Sequence, residues 1–261
     1  MKLIAVAHSG KMGDSLFVLP TIKRLCEIHG AKADFYVRSF CEPMRDLVEY
    51  QPYINRMRTD GKYTEAKPRF QGISEVREGE KYESFYDISW PSFPLGPLPE
   101  IDAELAGLPR DVGRNLHYDI PEGLTQRAID VLMGRKEYVV IVSRQGAYRH
   151  LFDMVVEKAP WPVIVMGRKT ESLTFGADLT GMGFLDMARV IAGAKSFIGN
   201  FSSPLVVAQG FEIPKTCVFN GTEWNPMHII MDGETQYLVN PTVEQVIESA
   251  NRKLRVKRVW E

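Results

Sequence analysis

The sequence has few cysteines, no long apolar run and no excess of either charge. Cys26, Cys41 and Cys217 fit neither a zinc motif nor a redox pair, and they indicate a reducing compartment. No stretch approaches the roughly 20 apolar residues of a membrane-spanning helix, and the first apolar run is too short for a signal peptide. The 32 basic and 33 acidic residues exclude the strong basic excess of a dedicated nucleic-acid binder. We therefore expect a cytoplasmic globular protein.

Metal-ligand spacing is also missing, because the five histidines form no ligand pattern with one another or with the cysteines. A local basic run stands near the end of the chain, at Arg252, Lys253, Arg255, Lys257 and Arg258. Such a run suits a solvated helix end, where cations favour the helix dipole. Contact with anionic lipid or nucleic acid is the alternative, and it leaves peripheral attachment to a membrane open.

What the sequence does contain is an alternation of short apolar runs with helical patterns. Strands are predicted over residues 3–7, 33–37, 84–89, 138–142, 162–166, 196–198 and 216–219. Strand–helix alternation is typical of parallel sheets covered by helices, and it restarts near residue 121. We therefore expect an acceptor-side Rossmann-like domain over 1–120, a donor domain over 121–240, and a C-terminal helix with a basic tail over 241–261.

Three further predictions concern individual segments. Apolar residues at helical spacing predict one helix over 14–29. The polar segment 55–82, rich in Arg, Lys, Glu and Gly, predicts a long loop or a short hairpin. Near the end of the chain, a helix over 243–254 is expected to begin either with Asn240 before a proline or with Thr242 in a capping box.

The first informative segment, HSGKMGDSL over residues 8–16, joins the first predicted strand to the first helix. Gly10 and Gly13 permit a tight turn and a close approach of a ligand, and a helix start favours phosphate. The segment is neither a P-loop nor a complete dinucleotide fingerprint, because the upstream glycine is missing. An NADP-dependent oxidoreductase, with Arg38 on the 2′-phosphate, is therefore not favoured. Asp14 suits a helix cap or a catalytic base, and the pattern leaves both open.

The second informative segment runs over residues 178–204. The strand predicted over 196–198 is followed by Gly-Asn, a phenylalanine and two serines, and Pro204 begins a helix. Backbone amides at the helix start, together with Ser202 and Ser203, form a suitable cradle for a diphosphate. An ordinary serine cap is the structural alternative, and the pattern does not decide between them.

Together these segments resemble the heptosyltransferase-like glycosyltransferases of glycosyltransferase family 9, which belong to the GT-B type. Residues 10–16, with Pro20, match the Gly-Asp-x-Leu opening of that family. Residues 178–204 match its donor-binding region, and Gly221 with Thr222 matches its next loop. The similarity covers both halves of the chain in order, and it is weakest over residues 55–110.

The resemblance implies an α/β fold of GT-B architecture, in which two Rossmann-like domains with parallel sheets face a central cleft. It implies a metal-independent transfer, with inversion, of a sugar from a nucleotide-sugar donor to an acceptor hydroxyl, and no further cofactor. Asp14 is then the general base, which takes the proton as the hydroxyl attacks the anomeric carbon. The expected acceptor is a saccharide or lipid-linked glycan, with modified DNA as an alternative.

The resemblance and the two segments also nominate binding residues. Contacts with the donor or its phosphates are expected from Gly13, Arg144, Arg149, Met166, Gly167, Asn200, Ser202 and Ser203. Of the two arginines, either is a candidate for the phosphate contact, and Arg149 equally suits a surface helix. The acceptor-side candidates are His8, Lys11 and Met12; for His8, a buried structural role is the alternative. Trp90 and Trp224 lie in predicted loops and suit stacking on a ligand or ordinary packing.

The chain departs from the pattern of the family at three positions. Phe201, Ser203 and Val206 stand where the family usually has Asp, Gly and His. Because an acid beside the donor sugar is lost, the resemblance does not assign heptose as that sugar. The departures also motivate an alternative function, a protein of the same fold that binds or hydrolyses a nucleotide sugar without transferring it.

Overall fold

The computed structural model describes residues 1–59, 82–90, 96–114, 116–134, 136–142, 148–167, 176–219 and 234–252. The chain divides into two compact units. Unit 1 is built mainly from Met1–Ile120, and unit 2 mainly from Pro121–Met182 and Asp186–Pro226.

Unit 1 contains a four-stranded parallel sheet in the order β3-β2-β1-β4. Its strands are β1 Lys2–Ala7, β2 Ala31–Tyr36, β3 Ile54–Arg58 and β4 Ser84–Asp87. Its α-helices are α1 Met12–Phe17, α2 Leu19–His29, α3 Arg45–Glu49 and α4 Leu98–Leu105, with 3₁₀ turns at Ser39–Met44 and Arg110–Arg114. The last four residues of β1 are fully buried, as expected for a central strand whose two faces are both covered.

Unit 2 contains a six-stranded parallel sheet in the order β10-β9-β8-β5-β6-β7. Its strands are β5 Val139–Val142, β6 Val163–Met166, β7 Ala177–Asp178, β8 Ser196–Gly199, β9 Lys215–Phe219 and β10 Thr235–Val239. Its helices are α5 Gln126–Leu132, α6 Arg149–Lys158, α7 Phe184–Ala192, α8 Ser203–Gln209 and α9 Val243–Asn251. In the core of unit 2, residues of β5 and β6 pack with residues of the two helices α6 and α9, and Phe152 and Val246 are fully buried there. The α/β class and the two parallel sheets confirm the predicted fold class.

The structure corrects two of the segment predictions in unit 1. The helix predicted over 14–29 is two helices, because the chain turns at Val18 and α2 begins with Pro20 at one of its first positions, which cannot donate to a continuous helix ladder. The predicted loop over 55–82 is wrong at its start, because residues up to Arg58 form β3, an edge strand that exposes Asn55 and Arg56. Residues 60–81 lie outside the described part.

In unit 2, β7 and β10 were missed because a two-residue strand and a half-exposed strand show no buried apolar run. The last helix begins with Thr242, whose side chain accepts from the N–H of Gln245 while the Gln245 side chain accepts from the Thr242 N–H. This capping box confirms one of the two predicted starts. Described helical structure ends at Asn251 instead of continuing to residue 254.

Candidate active site

The candidate base lies at the topological switch point of unit 1. In the strand order β3-β2-β1-β4, the chain leaves β1 toward β2 on one side, whereas β4 pairs with β1 on the other side. The strand order therefore reverses at β1, next to its carboxyl end. Ligands of open α/β sheets bind at such a point. The turn that follows β1 carries Ser9, Gly10 and Lys11, and α1 then places Asp14 in its first turn.

Asp14 is a half-buried carboxylate held by the backbone of its own turn. Its Oδ2 accepts a hydrogen bond of 2.9 Å from the N–H of Lys11, the residue that caps α1. Burial raises the pKa of Asp14, and the Lys11 N–H, the Lys11 ammonium and the Arg38 guanidinium oppose that rise. The structure therefore shows Asp14 in a capping interaction at the start of α1, as one of the two predicted roles requires, and burial also raises the basicity of this carboxylate.

Gly10 makes the close packing of this turn possible. A Cβ atom at position 10 would lie 2.4 Å from Cε1 of His8, 2.6 Å from Cβ of Asp14 and 3.1 Å from its Oδ2. Glycine is therefore required here by proximity, because the backbone lies directly against the candidate base and the ring beside it.

His8 is fully buried, and this supports the structural alternative over direct contact with an acceptor or phosphate. Its Nδ1 accepts the N–H of Gly10 at 3.2 Å and lies 3.4 Å from Oγ of Ser15. Burial, followed by the charge of Arg38, lowers the pKa of His8 to about 3, so the ring is neutral at physiological pH.

Two contacts of His8 were not found from the sequence. Asp102, fully buried on α4, places Oδ1 3.8 Å from Nε2 of the histidine, and Trp90 packs edge-on against the ring with centroids 5.0 Å apart. Nε1 of Trp90 donates to the same Oδ1 at 2.8 Å. Burial raises the pKa of Asp102 well above its usual value, against the Trp90 hydrogen bond and with help from Asp14. At 3.8 Å, Nε2 of His8 and Oδ1 of Asp102 are in contact but are too far apart for a hydrogen bond.

The other nominated residues of unit 1 lie at the start of α1. Lys11 is exposed, whereas Met12 and Gly13, the first two residues of the helix, are half-buried. The acceptor-side candidates Lys11 and Met12 therefore lie three and two residues before Asp14, and Gly13, the candidate for a phosphate contact, is adjacent to it.

The nominated donor residues Asn200, Ser202 and Ser203 lie at the switch point of unit 2. Strand β5 is flanked by β6 and β8, and β8 ends immediately before Asn200. Ser202 stands at the cap position of α8, but its hydroxyl does not cap the helix; it donates to the carbonyl of Asn200 at 3.1 Å. The serine-cap alternative is therefore not what the structure shows. Ser203 is the first residue of α8, and Pro204 is the second instead of the first.

Three further donor candidates lie on neighbouring elements of the same sheet. Met166 ends β6 and is buried, and Gly167 follows it with φ 131°, a conformation that favours glycine. Arg149 begins α6, is more than half exposed and places Nε 3.8 Å from Oδ2 of Asp153, as a surface helix residue would. Arg144 lies outside the described residues.

Two of the three positions that depart from the family pattern, Phe201 and Val206, belong to apolar structure. The Phe201 ring packs against Phe219, with centroids 5.8 Å apart, and stacks on Tyr237 at 6.2 Å with ring planes inclined by 27°. Val206 is buried in α8. The segment between Asn200 and Ser202 therefore presents aromatic carbon where the family usually has a carboxylate.

Several other expectations depend on features outside these two sites. All three cysteines are buried free thiols. Within the described ranges, no three His, Cys, Asp or Glu residues form a group able to hold a metal ion, and none of the helices there is long and apolar enough to cross a membrane. Arg252, the first of the basic run, donates to the carbonyl of Lys215 at 2.7 Å, whereas the remainder of the run and Trp224 lie outside the described residues.

The chain shares its fold with solved glycosyltransferases. It is similar to a family 9 glycosyltransferase from Veillonella parvula (13% identity, 95% of this chain and 96% of that chain, TM-score 0.70). It is also similar to the E. coli heptosyltransferase WaaC solved with ADP (15%, 95% and 99%, 0.58) and to TibC, an iron-containing dodecameric glycosyltransferase of enterotoxigenic E. coli (14%, 92% and 64%, 0.61).

The same fold also occurs in a UDP-GlcNAc 2-epimerase from Methanocaldococcus jannaschii (12% identity, TM-score 0.56). The sequence matches no protein-family model and no curated protein. At these identities the likeness establishes the fold, and that fold is the one that solved family 9 glycosyltransferases have, as the resemblance of the two segments predicted.

Proposed function

We propose that the chain is an inverting glycosyltransferase that moves a sugar from a nucleotide-sugar donor to an acceptor hydroxyl, with Asp14 as general base and no required metal. The observation that carries the proposal is the carboxylate of Asp14, half-buried at the switch point of unit 1 with a raised pKa. Switch points are where open α/β sheets bind ligands, and a carboxylate of raised basicity there is suited to accept a proton.

The reaction needs one proton transfer and one displacement. The acceptor hydroxyl loses its proton to Asp14 as its oxygen forms a bond to the anomeric carbon. The bond from that carbon to the diphosphate oxygen breaks, and the nucleoside diphosphate leaves with both electrons. Attack opposite the leaving group inverts the configuration at the anomeric carbon.

Unit 2 supplies the donor site in this proposal. Asn200, Ser202 and Ser203 follow β8 at the switch point of unit 2. Met166 ends β6, the strand on the other side of β5, and Gly167 follows it. Polar groups and helix amides in that position stabilise the charge that develops on the departing diphosphate. The ligands named for solved proteins of this fold are compatible with this role, since TibC has been solved with the nucleotide sugar ADP-D-β-D-heptose and WaaC with the nucleoside diphosphate ADP.

The first experiment identifies the nucleotide and then isolates the base. A thermal-shift screen of nucleoside diphosphates and nucleotide sugars selects a donor, and transfer to candidate saccharide, lipid-linked and glucosylatable DNA acceptors is measured with it. We expect Asp14→Asn to bind the donor within about twofold of wild type and to lose about 10²–10⁴ in kcat, the usual contribution of a general base. Asp111→Asn, which changes an exposed carboxylate of the same unit, is the matched control.

Three outcomes contradict parts of the proposal. If no nucleotide stabilises the protein, the proposed donor site is contradicted. If Asp14→Asn turns over at the wild-type rate, the proposed role of Asp14 as general base is contradicted. Loss of activity in EDTA, with recovery on adding a divalent cation, contradicts the metal-independent mechanism. Release of free sugar without any acceptor preference would favour the hydrolytic alternative, for which the aromatic packing of Phe201 in place of an acid is the motivating observation.

A further inference from the structure

Two buried residues close to the candidate base, His8 and Asp102, each carry an unsatisfied polar atom. Within the described part of the chain, neither Nε2 of His8 nor Oδ2 of Asp102 has a hydrogen-bond partner, although both residues are fully buried. Buried polar atoms are usually satisfied, so two unsatisfied ones in neighbouring side chains need a reason. The two residues are 94 positions apart in the sequence; His8 lies in the turn after β1 and Asp102 lies on α4, and Nε2 of His8 is 3.8 Å from Oδ1 of Asp102.

The contacts of His8 determine which nitrogen carries its proton. Nδ1 accepts the N–H of Gly10 at 3.2 Å, so its lone pair is in use and it is not protonated. In a neutral ring the proton is then on Nε2, which faces the carboxyl of Asp102. Oδ1 of that carboxyl accepts from Nε1 of Trp90, whose ring also packs against the imidazole and limits its rotation.

Two consecutive hydrogen bonds connect this ring to the base. The N–H of Gly10 is held by His8, and the next N–H along the chain, that of Lys11, donates to Oδ2 of Asp14. Because Gly10 has no side chain, the imidazole Cε1 and the carbon atoms of Asp14 pack against the same backbone atoms. Any rotation of the ring therefore moves the turn that positions the carboxylate.

We propose that His8, packed between Trp90 and the carboxyl of Asp102, is a positioning residue that fixes the turn at Gly10 and Lys11 and thereby the carboxylate of Asp14. This inference rests on the proposed role of Asp14 as base.

The proposal also has to account for the other groups around the ring. The charged and titratable neighbours from the packed elements are Asp14 and Lys11 on α1 and its cap, Arg38 after β2, Cys41 in the 3₁₀ turn and Asp102 on α4. Arg38 favours neutral histidine and ionised Asp14, and the buried thiol of Cys41, 3.8 Å from Ser15 Oγ, is not ionised because burial raises its pKa to about 11. The neighbours therefore agree with the proposed charge states.

The first test is independent of activity. In ¹⁵N-labelled wild-type protein, with the His8 signals assigned by their loss in His8→Asn, we expect a neutral ring protonated on Nε2 that does not titrate between pH 5 and 8. A ring protonated on Nδ1, or one that titrates inside that range, overturns the proposal whether or not the chain transfers sugar.

The second test separates positioning from simple packing. His8→Asn keeps an acceptor at the place of Nδ1, whereas His8→Gln moves its polar atoms toward the place of Nε2. We expect His8→Gln to lose roughly 10–100-fold in kcat with the donor KM unchanged, since a misplaced catalytic group has that effect, and His8→Asn to recover most of the loss. His29→Gln, at the end of α2, is the matched control and keeps the wild-type kcat.

The outcomes distinguish the inference from the proposed function. Full kcat in His8→Gln, or equal losses in both variants, overturns the positioning role. If the wild-type chain transfers no sugar, titration of the Asp14 carboxyl by ¹³C NMR decides instead: its pKa is expected to shift in His8→Gln and to remain at the wild-type value in His8→Asn. A shift in neither variant, or in both, overturns the inference.

Discussion

Replacing Gly10 by alanine is the most direct test of the packing around the candidate base. The added Cβ would lie 2.4 Å from Cε1 of His8, whereas ordinary carbon contacts begin near 3.4 Å, so the ring or the turn has to move by about 1 Å. Asp14 cannot avoid this movement, because its own Cβ lies 2.6 Å from the new atom. A displacement of that size at a catalytic group costs about 10²-fold in rate.

The same change has a cost in stability, since overpacking a well-packed site costs about 1–3 kcal/mol. We therefore expect Gly10→Ala to lose about 10²-fold in kcat and to unfold at lower urea concentration, with nucleoside diphosphate affinity unchanged. The control is Gly30→Asn: Gly30 caps α2 with φ 58° and has open space around its Cα, and asparagine tolerates that conformation. A Gly10→Ala protein with wild-type kcat and wild-type stability would refute the argument that the turn and the base share one packed position.

Two further predictions concern charge. Burial raises the pKa of Asp14 in the folded chain above its value of about 3.9 in the unfolded chain. The stabilisation from protonated Asp14 is therefore complete below the pKa of the unfolded chain and is lost as pH rises through the pKa of the folded chain. In thermal unfolding, Asp14→Asn should gain stability relative to wild type between pH 4 and pH 7, and a relative loss would contradict this sign. Fully buried Asp34 accepts from Arg56 at 2.9 Å and pairs with Arg58 at 3.3 Å. Asp34→Ala should cost about 1–3 kcal/mol in urea unfolding, because it removes a buried acceptor whose arginine partners are partly exposed to solvent; an unchanged unfolding free energy would contradict this.

The sequence was most informative where apolar runs are buried on both faces. Strands β1, β5 and β6 were recognised within one or two residues, because a central parallel strand leaves an uninterrupted apolar signature. The edge strand β3 was missed, because its exposed positions carry Asn55 and Arg56 and so look like a loop. Periodicity could not find the break at Val18 either, since both helices present apolar residues at compatible spacing.

Some residues of the candidate site could likewise be located from the sequence, whereas others could not. Asp14 and Asn200 each follow a recognisable strand in a short local motif, and the resemblance of those motifs to glycosyltransferase family 9 supplied the roles proposed for them. Asp102 and Trp90 carry no such signal, because they meet His8 only through the folding of α4 and the segment after β4 onto the carboxyl end of β1. Local patterns locate the residues at strand ends, whereas the residues behind them are selected by contacts between distant parts of the chain.

The all-parallel sheets also bear on how the protein folds. Every strand pairing found in the described ranges is parallel, so none can form from a local hairpin, and β4 joins β1 with Ile4 opposite Ser84. Chain entropy has to be lost before such distant contacts stabilise anything, which makes this topology slow to fold. The surroundings of Asp14 depend on that pairing and on α4 beyond it. Helices can therefore form well before His8, Asp102 and Trp90 come together near Asp14. Recovery of the helical circular-dichroism signal during refolding is therefore a poor measure of how many molecules have formed the candidate site.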